Sequence, residues 1–283
     1  MKPEPGELTS HSTPRTRSTL LREHGCQGDS SLIRRVHAGF DRSEFRVAFQ
    51  PIVDVRTGTV QAIECLLRWQ HPDYGLLLPG CFSAAFVDRD AAQRAVHFVL
   101  ERAVHELANL LSRGLRLPRM AVNIEPSQLL DATLAPTIEG LCTRYGVSPS
   151  LIELEMAETE DVSSLFVTDV FTRPLTQLGV RLALDDFGSG YASLRTLAVA
   201  RFDTVKLAGK LFRNVPQSDR YCMVVAATLD LLARLDVSIV VEGIETQEQL
   251  HWLLPYPDIQ AQGFHIGRPK MMLAEALDII PSH

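Results

Sequence analysis

The sequence predicts an α/β protein folded as a TIM-type (β/α)8 barrel whose first strand runs antiparallel to the others. Three observations lead there. Eight short apolar runs of strand character are spread along the chain, and from the third onward they alternate with segments of helical period. The first two runs are joined by only five residues, 54–58 (DVRTG), too few for a crossover helix, so they form an antiparallel hairpin. The chain has 283 residues, 46% of them hydrophobic, enough for one α/β barrel core. An open doubly wound sheet is the alternative arrangement of the same elements.

Taken in order, residues 1–30 are rich in Ser, Thr, Pro, Arg and Gly without a period and read as a disordered tail, leaving 31–283 as the barrel domain. Leu32, Val36 and Phe40 recur at helical spacing and mark an amphipathic leading helix. Residues 46–53 (RVAFQPIV) and 59–69 (TVQAIECLLRW) are the hairpin strands. Residues 92–111 form a long helix with Val96, Leu100, Val104, Leu107 and Leu111 on one face. Strands then fall at 120–124, 151–156, 181–185, 202–207, 238–241 and 259–262. Helices fall at 134–145, 167–178, 221–235, 247–254 and 271–279.

The balance of 28 basic against 34 acidic residues argues against a DNA- or RNA-binding protein, which would be basic, and leaves a small anionic ligand open. Five cysteines, an odd number with no CxxC pair, give neither a disulfide framework nor a zinc site and suit a reducing cytoplasmic location. Nine histidines are scattered without HExxH or HxH spacing. No apolar run reaches the ~18 residues of a membrane span, and the N-terminus has no signal-like apolar region.

The chemistry is concentrated at strand ends. In residues 182–190 (LALDDFGSG) an apolar run ends in Asp185 and Asp186 before a glycine-spaced turn. On its own, such a pair is better explained by a solvated turn. Period-two alternation, however, places Glu64, Asn123, Glu155 and Asp185 on inward faces, with Glu242 closing another strand and Lys206 on a sixth. Polar groups at the C-terminal ends of barrel strands read as a site. The structural alternative, a lumen of self-satisfied ion pairs, is disfavoured because buried pairs seldom repay their desolvation. Glu64, Asn123, Glu155 and Asp185 offer four oxygen ligands to a hard cation such as Mg2+ or Mn2+, and Asp186 could reach a second. Two such cations activate a water and clamp an in-line phosphoryl displacement. Lys206 could orient the water or neutralise developing charge, Glu242 could take the water's proton, and Arg68, on the face of Glu64, offers a forked donor to a phosphate. The residues alone therefore predict metal-dependent hydrolysis of a phosphate ester.

The motifs also resemble those of the EAL-domain cyclic di-GMP phosphodiesterases, almost motif by motif from Phe45 to Pro269. ECLLRW (64–69) is similar to EALLRW, FQPIVD to the YQPI strand, VNIEPSQL to VNLSPxQL, and IELEMAET to LELEITES. DDFGSGYASL resembles DDFGTGYSSL, VVEGIET resembles VAEGVET, and FDTVKL and AQGFHIGRP match the family's lysine strand and final strand. The resemblance implies metal ligands Glu64, Asn123, Glu155, Asp185 and Asp186, and catalytic Glu242 and Lys206. It implies ligand contacts through Gln50 and Gln262 and loop-supporting acids Glu158 and Glu245. It also implies a two-metal Mg2+ or Mn2+ site, hydrolysis of cyclic di-GMP to linear pGpG, and a homodimer. Departures are Cys65, Glu125, Ala157, the segment 82–88 (FSAAFVD, in place of FIPLAEE), and Ala208, where the family carries an aspartate near its second metal. Ala208 and segment 82–88 motivate the runner-up reading, a non-catalytic receptor for the dinucleotide or a protein partner. The tail is too short for a preceding sensor domain, so regulation is expected through metal, ligand, dimerisation or a separate regulatory protein.

Overall fold

The computed structural model describes residues 30–116, 118–157, 170–189 and 194–278. A leading helix α1 (Ser30–Asp41) precedes β1 (Phe45–Asp54) and β2 (Val60–His71). The connection is tight: Asp54 O accepts from Gly58 N (2.8 Å), Asp54 Oδ1 accepts from Arg56 N and Thr57 N, and Gly58 sits at φ 66°. The two strands pair antiparallel from Phe45↔Trp69 to Val53↔Val60. A short strand β3 (Gly75–Leu77), which the sequence pattern does not reveal, extends the end of β2 outside the barrel.

The repeated units follow: α2 (Arg89–Ser112), β4 (Arg119–Asn123), α3 (Leu134–Tyr145), β5 (Ile152–Ala157), α4 (Arg173–Leu178) and β6 (Arg181–Phe187). Then come α5 (Leu194–Val199), β7 (Thr204–Leu207), α6 (Gly209–Phe212), α7 (Asp219–Arg234), β8 (Ser238–Val241), α8 (Gln247–Leu253), β9 (Ile259–Ala261) and α9 (Leu273–Leu277). β2, β4, β5, β6, β7, β8 and β9 pair in parallel succession, and β1 closes the ring by pairing antiparallel with both β2 and β9. This is the predicted eight-stranded barrel with its first strand reversed, and it excludes the open sheet. Of the expected helix at 167–178, only Arg173–Leu178 lies within the described residues as helix.

Helix stops are written in the sequence: Gly146 and Gly179 take left-handed φ (67° and 84°) at the ends of α3 and α4. α2 starts at Asp88, whose carboxylate accepts from Ala91 N and sits 3.0 Å from His37 Nε2. The outward faces of the strands pack on the helices in one large core that includes Ile63, Cys65, Leu100, Leu107, Met120, Leu154, Leu184, Val205 and Val241. A second cluster, built from Val36, Phe45, Trp69, Leu77, Phe82 and Ala91, fastens α1 and the 3-10 turn Ser83–Val87 beside the barrel mouth.

The lumen has two unlike ends. At the N-terminal ends of the strands, Glu153 Oε2 accepts from Arg181 Nε (3.1 Å) and Thr204 Oγ1 (2.7 Å), with Arg119 Nε 3.6 Å away. Arg181 also donates to Ser238 Oγ, and Arg119 to Gln260 Oε1. The floor is therefore charged and cross-linked, not merely small-residue packing. At the opposite end, the backbone after β8 is wedged between neighbours. A Cβ on Gly243 (φ 69°) would lie 2.8 Å from Gly209 Cα, and one on Gly263 would collide with Ile244 N and O. Gly263→Ala is expected to destabilise the fold by about 1–3 kcal/mol, because backbone must shift to admit the methyl. A thermal melt checks this, and a variant as stable as wild type would show the contact to be compliant.

Candidate active site

Each strand delivers its group to the same place. Lys206, on β7, is 1% exposed, and its Nζ lies 2.9 Å from Glu242 Oε1 and 3.1 Å from Glu155 Oε2. Asp185 Oδ1 lies at 3.2 Å and Glu64 Oε2 at 3.6 Å. Glu64 is gripped from both sides: Asn123 Nδ2 donates to Oε1 (2.8 Å) and Gln262 Nε2 donates to Oε2 (2.7 Å). Glu242 is set by backbone as well, since its N–H donates to Leu207 O while Ile244 N donates to Gln262 O. Groups on or just after seven strands thus meet at the C-terminal rim, where barrels carry their chemistry.

The remaining sequence-derived residues are distributed around this cluster. Asp186 follows Asp185 at φ 57°, within the break in the β6–β7 register between Leu184 and Phe187, and is exposed. Gln50 faces the mouth with its amide on Gly267 O (3.1 Å), and Arg68 is buried with one donor on Leu67 O. Glu245 lines the same opening and its N–H is held by Gln249 Oε1, part of the capping box that starts α8. Glu158 lies outside the described residues, as do Gly190 and Tyr191 of the DDFGSGY stretch. Cys65 points away from the lumen, with Sγ 4.0 Å from Met120 Sδ. Beside Glu64 and Asn123, a cavity of about 360 Å3 opens between β2, β4 and α2, walled by Cys65, Phe82, Phe86, Ala95 and Val99. No periodicity could have announced it, because it depends on how α2 crosses the strands.

Electrostatics separate these acids. Burial disfavours the Lys206 ammonium, but Asp185, Glu155, Glu242 and Glu64 outweigh it and hold its pKa well above the usual lysine value. Burial pushes Glu155 well above the carboxylate range, with Glu64, Asp185 and Glu153 adding to the rise against Lys206. Burial, reinforced by Asp185 and Glu64, lifts Glu242 to about 8 despite Lys206. Glu64 goes the other way: burial opposes it, yet Lys206 and the hydrogen bonds from Gln262 and Asn123 bring it below its ordinary value. Asp186, although exposed to solvent on one side, is raised by partial desolvation among its neighbours and by Asp185.

One ammonium faces four crowded acids, so without a further cation burial and mutual repulsion hold Glu155 and Glu242 toward their neutral forms. Glu155 Oε1 and Asp185 Oδ1 are buried without a hydrogen-bond partner, although the latter stands in ion-pair contact with Lys206. Acid oxygens left over in this way fit a hard divalent cation, which would favour their ionised, acceptor-only form. Among the described residues no group of three or more His, Cys, Asp or Glu side chains is arranged to hold a metal ion as it stands; the Lys206 ammonium lies among the acids instead.

Fold and rim together define a closed TIM-type barrel with an acidic, lysine-centred mouth. The chain belongs to the EAL domain family, whose profile matches residues 33–269. An uncharacterized signaling protein of Caulobacter vibrioides is 34% identical over 239 residues, covering 84% of this chain and 29% of that protein. Cyclic di-GMP phosphodiesterase RocR of Pseudomonas aeruginosa is 31% identical, covering 82% of this chain and 59% of its own length. The chain thus spans less than two thirds of these curated relatives. Among solved structures, the PaMucR phosphodiesterase in complex with c-di-GMP superimposes with a TM-score of 0.76 at 28% identity, over 85% of this chain and 97% of that one. The FimX EAL domain from Pseudomonas aeruginosa shares the fold (TM-score 0.77, 19% identity, 90% of this chain and 100% of that one). Among the described residues no helix is long and apolar enough to cross a membrane.

Proposed function

We propose that this protein hydrolyses cyclic di-GMP to linear pGpG with the help of divalent cations. The observation that carries the reading is the meeting of Glu64, Glu155, Asp185 and Glu242 around Lys206, with Asn123 bonded to Glu64, in a chain whose relatives include cyclic di-GMP phosphodiesterases. Glu64, Asn123, Glu155 and Asp185 would hold one Mg2+ or Mn2+, and Asp185 with Asp186 a second. Such ions, when bound, supply Lewis acidity and a more acidic water. Glu242, held 2.9 Å from Lys206 Nζ, takes the proton of the attacking water at a carboxylate oxygen. Lys206 fixes that carboxylate and sets positive charge against the phosphate as negative charge grows. Arg68 and Gln50 orient the substrate, Gln262 does so while steadying Glu64, and Glu245 and Glu158 support the neighbouring loops.

Purified protein incubated with Mg2+ or Mn2+ should convert cyclic di-GMP to pGpG, followed by chromatography. Chelation with EDTA should stop turnover, and either ion should restore it. No linear product at high enzyme concentration would sink the proposal. A specific feature favours the receptor alternative: Ala208 is fully buried at the end of β7 and gives Asp186 no carboxylate neighbour from that strand. Calorimetry that finds tight dinucleotide binding without turnover would select it.

A further inference from the structure

One aromatic ring at the mouth is not used by the core. Phe264 lies three residues past the end of β9 and is 53% exposed. It lines a cavity of about 230 Å3 with Gln50, Glu64, Glu242, Glu245 and Gln262, so it sits at the reacting end of the molecule. The Arg268 guanidinium lies over one face of the ring, 4.2 Å from its centroid. The turn that carries the ring is pinned on several sides. Gly263 is pressed against the Ile244 backbone, and His265 N donates to Ile244 O (3.0 Å). Gly267 N donates to Gly263 O (2.9 Å), Gln50 Nε2 donates to Gly267 O, and Lys270 pairs with Phe49 on β1.

An exposed ring on so fixed a turn leaves apolar surface in water, with little ordering left to be done when a partner arrives. Any nucleobase offers a flat π-face of matching size, and a stacked guanidinium strengthens such an arrangement by cation–π attraction. We propose that Phe264, braced by Arg268, is the stacking platform for one nucleobase of the cyclic dinucleotide, a substrate-binding residue separate from the Lys206 cluster. The proposal rests on the cyclic dinucleotide reading and adds to it the residue that holds a base.

The test compares wild type, Phe264→Ala and Phe264→Trp on cyclic di-GMP, with Mn2+ affinity measured by calorimetry and folding by thermal melts. Phe264→Ala should raise KM about 10-fold while kcat changes less than about threefold, because stacking is lost equally in the bound and reacting states. Phe264→Trp should stay within about threefold of wild type in KM, since the larger ring still stacks. Both variants should keep wild-type Mn2+ affinity and melting behaviour. Wild-type turnover with unchanged KM in Phe264→Ala would overturn the platform alone. So would a Phe264→Trp variant as impaired as Phe264→Ala, or an Mn2+ affinity that weakens as KM rises. A wild-type protein that neither binds nor hydrolyses cyclic di-GMP would overturn the platform and the proposed function together.

Discussion

Glu242→Gln should abolish hydrolysis while leaving the protein folded and able to bind cyclic di-GMP. The amide is isosteric, and its oxygen can still accept from Lys206 Nζ, now 2.9 Å from Glu242 Oε1. What it cannot do is take a proton. Loss of a positioned general base costs about 10²–10⁴ in kcat. Nor should the fold suffer, since the substitution removes one of four acids crowded around a single ammonium. Chromatography of the products and calorimetry of the variant separate the two effects. Turnover within about threefold of wild type would remove Glu242 from the base role.

Lys206→Met is expected to have the largest effect on stability. The methionine chain fills much the same volume, but the ammonium that opposes Glu64, Glu155, Asp185 and Glu242 disappears. Removing one partner of a buried ion pair costs about 3–5 kcal/mol. Here the acids left behind include Glu155, fully buried, so the variant should melt well below wild type in the absence of divalent ions. Mn2+ or Mg2+ should recover part of the loss, because a ligand that binds only the folded state adds about 2.7 kcal/mol at a hundred times its Kd. The metal-induced rise in Tm should therefore be larger for Lys206→Met than for wild type. Equal melting of the two proteins without metal would show that Lys206 does not balance the cluster.

Much of this site could be read without coordinates because barrel strands alternate strictly and their ends are marked by polar residues. Period two puts Glu153 with Glu155, and Arg181 with Asp185, on shared inward faces, and the structure keeps both pairs inside. The pattern could not say that Glu153 would be answered by Arg181 and Thr204 while Glu155 Oε1 is left over, because register and side-chain pairing are tertiary properties. β3 is invisible in the sequence because three residues (GLL) carry no period and become a strand only by lying against the end of β2. The 3-10 turns Pro79–Cys81 and Ser83–Val87 are similarly short and take their place from contacts with Trp69 and Phe45. β6 runs two residues past Asp185, with Asp186 in the left-handed region, so alternation alone misjudges where that strand stops. Phe264 reads as one more apolar residue after a glycine, and nothing in its neighbours signals that its ring stays outside.

The ion-paired floor has a consequence for how this barrel could be altered. Arg119, Glu153, Arg181, Thr204, Ser238 and Gln260 link six consecutive strands like rivets around a hoop. Because that hoop is fastened far from the rim, rim side chains can be exchanged for new ligand preferences while the staves stay aligned. A laboratory campaign to retarget the barrel should hold those six positions constant and spend its variation on the loops above them.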